Sequence, residues 1–327
     1  MAGTLVDIRE RLRLAANSRH AHGPRLDIVS TTPAPIDVAA EVRAAEQRSR
    51  PYLLTTPAVP SIGLTAAIGS EVVLKCENLQ HTGSFKARGA VSKVLSLTPD
   101  ELERGVITAS TGNHGVAVAY AGSIVGVAPT VVVPDNANPS KLAAIERLGG
   151  RIEVQGSDSV ESELGARRAA DERGMTFISP YNDAAIIGGQ GTLGLELLDQ
   201  VDDLAAVFVA VGGGGLSSGV AGIIKSVSPS TRVIGCSPAN SAVMYHSLKA
   251  GQILDLPSDP TLSDGTAGGV EPGAITFDIL DDLLDDFVVV DEDAIREAFL
   301  ELIEVEHLLV EGSAAMAYAA ARANAPA

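Results

Sequence analysis

The sequence has no tryptophan, and aromatic residues make up only 3% of its 327 residues. A core must therefore be built from aliphatic side chains, and hydrophobic residues reach 46% of the composition. Aliphatic and small residues, with 33 glycines among them, favour strands and helices that pack closely in layers. The length fits about two domains.

Basic residues are also scarce, since 24 Lys and Arg stand against 41 Asp and Glu and give a formal net charge of −17. A phosphate backbone would be repelled across most of such a surface, which argues against a nucleic-acid partner. The two cysteines, Cys76 and Cys236, end apolar strand-like runs and are predicted to be buried, reduced thiols. Reduced thiols indicate a cytoplasmic protein.

Two stretches without charged residues, 105–134 and 204–224, raise the question of a membrane span. Glycine clusters, proline or asparagine divide both into strand, loop and helix, so neither is predicted to cross a bilayer and no membrane partner is expected. The N-terminal segment mixes arginines with acidic residues and has no long apolar core. Residues 1–31 are predicted to be a poorly ordered leader without an assigned function.

Strands and helices alternate along most of the chain. Short apolar strands, such as those at 106–109 and 130–133, are separated by segments with helical spacing. Short strands with helices of this length between them indicate parallel, doubly wound sheets. We predict an α/β protein in which a small domain at 105–183 is inserted between the two halves of a large domain, 32–104 and 184–327.

One stretch carries a lysine in an unusual setting. The segment 80–89 reads QHTGSFKARG and lies between a strand-like run at 71–76 and a run with helical spacing at 85–97, for which Ser84 is the predicted N-cap. Positive potential at a helix start, together with partial burial, favours the neutral amine of Lys86. A neutral amine attacks carbonyl groups, so this lysine is a candidate for holding an aldehyde cofactor. An exposed lysine paired with a glutamate would show the same local spacing.

A tetraglycine at 212–215 connects an apolar strand to a helix. Glycines allow successive N–H groups to converge, and the helix start adds partial positive charge, so the segment predicts a phosphate site. The dinucleotide pattern fails at Ser217 or Ser218, and the P-loop pattern fails because Val220 stands in place of the lysine. A small monophosphate site or a glycine turn without a ligand remains.

The segment STGNHG, at 110–115, is another loop between a strand and a helix. Its backbone can present several N–H groups to a carboxylate, and Asn113 offers a side-chain amide. A lysine amine, a monophosphate loop and a carboxylate loop are together the parts required by pyridoxal phosphate acting on an amino acid.

Five segments resemble those of the fold-type II pyridoxal-phosphate enzymes, specifically the serine/threonine dehydratase family: KCENLQHTGSFKARGA, ASTGNHG, PYNDAAIIGGQGT, GGGGL and SDGTAGG. The similarity runs from about Thr56 to Ala320, and the first segment is highly specific. It implies two doubly wound domains of the tryptophan synthase β-like architecture, pyridoxal 5'-phosphate as cofactor, a small amino acid as substrate and a homodimer.

The resemblance also implies roles for individual residues. Lys86 would form the Schiff base with the cofactor, and Phe85 would pack against its ring. Asn113 would bond the ring hydroxyl, and Gly265 would lie close to the ring. The implied phosphate-binding residues are Gly212, Gly213, Gly214, Gly215 and Leu216, and the implied substrate-binding residues are Ser110, Thr111, Gly112, Asn113 and His114.

The implied reaction is β-elimination from an L-3-hydroxy amino acid such as threonine or serine, in which the Lys86 amine removes the Cα proton and the products are a 2-oxo acid and ammonia. Hydroxyaspartate, phenylserine and hydroxyectoine-derived amino acids stay open as substrates, because no residue is identified that reads the β-substituent. A β-replacement synthase is disfavoured, since such relatives carry Asn-Pro before the lysine motif and a threonine where His114 stands. A catalytically silent binding protein of the same fold is a further alternative.

Three departures from the family pattern shape these expectations. Thr111 stands where some relatives place a serine as a second base, so elimination is expected to exceed racemisation. Ser237 and Val243 stand where cation-binding relatives supply carboxylates, so no metal is expected there. The family usually continues into a further strand and a Ser-Gly-Gly-Asn turn whose serine bonds the pyridine nitrogen, whereas this sequence ends at Ala327 before such a segment. The group that meets the pyridine nitrogen is left open.

Overall fold

The structure, a computed structural model, describes residues 36–137 and 139–324. The leader predicted at 1–31 lies outside the described residues. Two parallel sheets and one antiparallel strand pair make up the strands, which confirms the predicted α/β class. The nine strands of the described ranges are β1 (Ala58–Pro60), β2 (Val73–Lys75), β3 (Val106–Ala109), β4 (Thr130–Val133), β5 (Arg151–Val154), β6 (Thr176–Phe177), β7 (Ala206–Ala210), β8 (Arg232–Pro238) and β9 (Asp286–Val290).

Helices connect and cover these strands. Short 3₁₀ turns add to them at 50–52, 77–79, 239–241 and 264–266. In the part of the chain that the structure describes, no helix has the length and apolar character needed to cross a bilayer. The α-helices are α1 (Val38–Ser49), α2 (Ile62–Ile68), α3 (Lys86–Leu95), α4 (Pro99–Arg104), α5 (Asn113–Val125), α6 (Pro139–Arg147), α7 (Ser159–Arg173), α8 (Ala184–Gln200), α9 (Gly215–Val227), α10 (Val243–Ala250), α11 (Ile275–Leu283), α12 (Glu292–Glu304) and α13 (Gly312–Asn324).

The first parallel sheet has the strand order β5-β4-β3-β6. The chain leaves β3 in one direction through β4 and β5 and returns to the other side of β3 as β6. Ligands of open α/β sheets bind at such a switch point, outside the carboxyl ends of the strands. The segments after β3 and β6, which begin at Ser110 and Ile178, both start at this edge. The topology therefore brings the STGNHG and PYND segments to one place.

The second parallel sheet has the order β7-β8-β9, and the tetraglycine follows its first strand. Helices α8 and α9 cross closely beside it. A Cβ on Gly219 would lie 2.6 Å from the backbone nitrogen of Gly191, so only glycine permits this approach. The close crossing places the start of α9, and with it the tetraglycine, against the segment that leads into α8.

Helix α3, which begins at Lys86, packs its apolar face on α5. Ala87, Ala90 and Val91 lie in one buried cluster with Ala117 and other residues of α5. The helix thus contacts a neighbour from the predicted small domain, although its residues were assigned by sequence to the large domain. The domain boundaries stay a prediction.

Two local predictions were wrong. Ser84 is not the N-cap of α3, because Phe85 occupies that position without a side-chain bond and the Ser84 hydroxyl is buried without a partner in the described ranges. Helix α5 begins at Asn113 and not at Val116, because Gly112 adopts the extended conformation that allows the helix to start one turn earlier. The second difference moves Asn113 and His114 from a loop to the first turn of a helix.

A buried ion cluster lies beneath the Lys86 helix. The guanidinium of Arg88 has no exposed surface and contacts Glu77 at 2.7 Å and Glu196 at 2.8 Å. Glu196 also accepts from Lys75 at 2.6 Å and from Arg50 at 2.7 Å. Burial opposes ionisation of Glu196, but the hydrogen bond and charge of Arg88 outweigh it and lower the pKa of Glu196 to about 2. The cluster joins α3, α8 and β2.

We expect Glu196→Gln to lower the free energy of unfolding by about 3–5 kcal/mol, because it leaves the buried Arg88 cation without full compensation. The folded-state pKa of Glu196 lies below its unfolded value near 4.3, so its contribution is present above that pH and is lost as the pH falls towards 2. Urea unfolding should therefore show a difference from wild type that narrows below about pH 4. Glu153→Gln, at a pair that is 39–48% exposed, is the control and should cost less than about 1 kcal/mol. Equal losses in the two variants would contradict this account.

Candidate active site

The Lys86 amine lies at the meeting point of several loops. Its Nζ donates to the backbone oxygen of Pro180 at 2.9 Å and stands 5.4 Å from the centre of the Phe85 ring. Burial lowers the pKa of Lys86 to about 8, because the charged ammonium loses solvation. A far larger fraction of this amine is neutral near neutral pH than for an exposed lysine, as a carbonyl-attacking group requires.

His114 lies in the first turn of α5 and is buried. Its Nε2 stands 3.1 Å from the backbone oxygen of Ile178, and because a carbonyl only accepts, the proton belongs on Nε2. Burial and, secondly, the charge of Lys86 lower the pKa of His114 to about 3. The imidazole is therefore neutral at ordinary pH and fixes the loop 110–114 to the end of β6.

The tetraglycine has the geometry of an anion site. Gly214 adopts a left-handed conformation with φ of 90°, which turns the chain into α9. Within residues 36–137 and 139–324, the backbone N–H groups of 212–216 donate to no protein acceptor. Unused N–H groups at a helix start bind anions, so this loop fits the monophosphate of the predicted cofactor.

Tyr181 forms one wall of this loop. A Cβ on Gly213 would lie 2.4 Å from the Tyr181 ring, and a Cβ on Gly215 would lie 2.9 Å from its Cα. On the other side, a Cβ on Gly212 would lie 2.9 Å from the Cα of Thr266. Sequence reasoning named Tyr181 only within the segment 180–183, although its place after a strand at a sheet switch point is a usable signal.

The segment 110–114 also offers free donors. The backbone N–H groups of Thr111, Asn113 and His114 have no protein acceptor in the described ranges, while the N–H of Gly112 donates to the Ser110 hydroxyl at 3.1 Å. Three free N–H groups at the start of α5 suit a carboxylate. The predicted substrate loop therefore has the required donor set.

Asn113 contacts a residue that sequence reasoning missed. Its Nδ2 donates to both carboxylate oxygens of Glu311 at 2.8 Å. The same carboxylate lies 3.8 Å, and the Ser313 hydroxyl 3.4 Å, from the position of a Cβ on Gly265. The segments 263–266 and 311–313 thus come together beside Asn113. Only the position of Glu311 within VEGSAAM could have suggested it.

These contacts form a closed ring around the lysine. Lys86 contacts Pro180, Tyr181 contacts the tetraglycine, and the tetraglycine contacts Thr266. Gly265 lies beside Glu311, Glu311 binds Asn113, and His114 returns the ring to the end of β6. The structure therefore brings together every segment that the sequence singled out.

The predicted absence of a metal was argued at two positions. The Ser237 hydroxyl donates to the backbone oxygen of Val211 at 2.7 Å, and Val243 is buried. Across the described ranges, no cluster of three or more His, Cys, Asp or Glu side chains could hold a metal ion. A metal-independent protein stays a prediction.

A buried amine with a lowered pKa, an anion loop and a carboxylate loop on an α/β scaffold define a pyridoxal-phosphate-dependent enzyme. The model of the family described as pyridoxal-phosphate dependent enzyme matches residues 50–327, and the chain belongs to this family. This confirms the family, the fold class and the cofactor that the sequence predicted.

Relatives carry two kinds of name. The chain is 39% identical over 279 residues to an L-threonine ammonia-lyase of Geobacter sulfurreducens, across 85% of this chain and 69% of that protein. It resembles the structure of maize serine racemase with 37% identity and a TM-score of 0.83, over 87% of this chain and 86% of that one. It also resembles the threonine deaminase of T.th. with 38% identity and a TM-score of 0.80, over 86% of this chain and 91% of that one.

We expect Gly213→Ala to weaken pyridoxal phosphate binding at least about tenfold, because the added methyl group meets the Tyr181 ring at 2.4 Å. Absorbance titration of the cofactor-free protein measures this affinity. Gly269→Ala is the matched control, since its Cβ would meet nothing within 4 Å. The double variant Gly213→Ala/Tyr181→Ala should recover part of the affinity because it removes the clash. Unchanged affinity in Gly213→Ala would show that this loop does not hold the cofactor.

Proposed function

We propose that this protein converts an L-3-hydroxy amino acid, such as threonine or serine, into a 2-oxo acid and ammonia by β-elimination. The observation that carries the proposal is the buried amine of Lys86, with a pKa of about 8, enclosed by an anion loop and a carboxylate loop. Similarity to L-threonine ammonia-lyases supports the same reaction class.

Pyridoxal phosphate, when bound, supplies an electron sink that stabilises negative charge at the substrate Cα. The N–H groups of Gly212, Gly213, Gly214, Gly215 and Leu216 hold its phosphate. Phe85, Asn113 and Gly265 lie against its ring, as the resemblance implies. The free N–H groups of 110–114 orient the substrate carboxylate, which fixes the Cα–H bond relative to Lys86.

The proton steps belong to Lys86. Its neutral Nζ removes the Cα proton, and the resulting ammonium can return a proton to the departing β-hydroxyl. A pKa of about 8 suits both directions, because neither the neutral nor the charged amine is strongly favoured near neutral pH. His114 does not compete for the proton, since its low pKa keeps the ring neutral and its Nε2–H is bonded to Ile178.

Racemisation is the second candidate reaction, and the similarity to maize serine racemase favours it. Inverting Cα needs a second base on the face opposite Lys86. Thr111 stands where some relatives have a serine in that role, and its methyl group hinders proton transfer there. We therefore place elimination ahead of racemisation.

Other parts of the proposal rest on less. A cytoplasmic location and a homodimer follow from cysteine usage and from the resemblance. Hydroxyaspartate, phenylserine and hydroxyectoine-derived amino acids are alternative substrates. A binding protein that holds the cofactor without turnover is the alternative of another class.

With the cofactor-loaded protein, we expect ammonia and a 2-oxo acid from L-threonine or L-serine in a panel of 3-hydroxy amino acids. Lys86→Ala should lower kcat/KM by a factor of about 10³ or more, because the proton-transfer group is lost. Lys249→Ala, which removes an exposed lysine that stacks on Tyr245, is the control. Turnover that survives in Lys86→Ala would refute the assignment. A loaded protein that releases no ammonia from any panel member would favour the silent binding protein.

Thr111→Ser should raise the ratio of racemisation to elimination about tenfold, because it removes the methyl group and leaves a hydroxyl able to transfer a proton. Chiral chromatography of serine and an oxo-acid assay in the same reaction measure the two products. Thr98→Ser makes the same exchange at the exposed N-cap of α4 and should leave the ratio unchanged. D-serine formed faster than pyruvate by the wild-type protein would contradict the preference for elimination.

A further inference from the structure

Glu311 places a negative charge at the edge of the site. Its two carboxylate oxygens each lie 2.8 Å from Asn113 Nδ2, and Oε2 lies 3.8 Å from the Cβ position of Gly265. In the described ranges, no lysine, arginine or histidine forms an ion pair with this carboxylate. An anion that no cation neutralises therefore stands between the substrate loop 110–114 and the turn 264–266.

The contact also fixes the Asn113 amide. Because a carboxylate only accepts hydrogen bonds, the amide nitrogen must face Glu311. Glu311 thus has two separable properties, an acceptor that orients Asn113 and a charge that acts on any ligand nearby. A glutamine at this position would keep an acceptor and lose the charge.

The free donors of the site match groups that every amino-acid substrate shares. The N–H groups of 212–216 suit the cofactor phosphate, and those of 110–114 suit the carboxylate on Cα. A carboxylate on Cβ is a further negative charge, for which the described loops offer no cationic side chain except Lys86. Repulsion from Glu311 acts on that additional charge, and its effect on the shared carboxylate cancels when two substrates are compared.

We propose that Glu311 restricts the site to 3-hydroxy amino acids with an uncharged side chain, so that threonine and serine are preferred over 3-hydroxyaspartate. This inference rests on the proposed function and narrows its substrate class. Glu311 acts as a specificity residue through its charge, and as a positioning residue through Asn113.

Binding without turnover tests the inference first. L-2-Aminobutyrate and L-aspartate both lack the departing hydroxyl, and they differ in the charge of the side chain. In calorimetric titration of the cofactor-loaded protein at low salt, wild type should bind L-2-aminobutyrate at least about tenfold more tightly than L-aspartate. Glu311→Gln should reduce that preference about tenfold, while Glu311→Ala should also weaken both ligands because Asn113 loses its partner.

Glu304→Gln is the matched control. It makes the same change in net charge at an exposed residue that forms no hydrogen bond or ion pair within the described part of the chain. Its ligand preference should equal that of wild type. Raising the salt concentration should narrow the wild-type preference and leave that of Glu311→Gln unchanged, because charge effects at an exposed carboxylate are screened.

Kinetics complete the test. The ratio of kcat/KM for L-threonine to that for 3-hydroxyaspartate should fall about tenfold in Glu311→Gln. Equal binding of the two ligands by wild type, an unaltered preference in Glu311→Gln, or a preference insensitive to salt would each overturn the inference. If no hydroxy amino acid releases ammonia but the binding preference follows Glu311, the proposed function fails and the charge selection stands.

Discussion

The site depends on keeping one amine, Lys86 Nζ, largely out of water at a point where five chain segments meet. Desolvation is what lowers its pKa to about 8, since the ammonium form loses hydration that no carboxylate replaces. Excluding water there requires loops from both parallel sheets to close around the lysine. The ring of contacts through Tyr181, Glu311 and His114 provides that closure.

The opposite side of the same helix explains how the lysine is held in place. Two residues advance a helix by about 200°, so Lys86 and Arg88 point to different sides of α3. Arg88 is anchored by Glu77 and Glu196, which also ties the helix to α8. The reactive amine faces loops with free N–H groups, while the structural cation is fully paired. One short motif therefore carries the chemistry on one face and its support on the other.

Much of this was legible in the sequence, for physical reasons. The strands at 106–109 and 130–133 were predicted at their observed bounds, because short aliphatic runs bounded by turn residues specify buried parallel strands. Asn113 and Glu311 are 198 residues apart, and their contact depends on packing that no local pattern encodes. The Ser84 cap failed because tertiary packing buried its hydroxyl, and helices α2 and α11 were not predicted since their apolar patterns are short.

The central claim is that the Lys86 amine bonds covalently to the cofactor aldehyde. Reduction of the cofactor-loaded protein with borohydride, followed by peptide mass mapping, tests it most directly. The account predicts that the peptide containing Lys86 carries the added mass of the reduced cofactor on that side chain. An unmodified Lys86, or the same mass on another lysine, would contradict it.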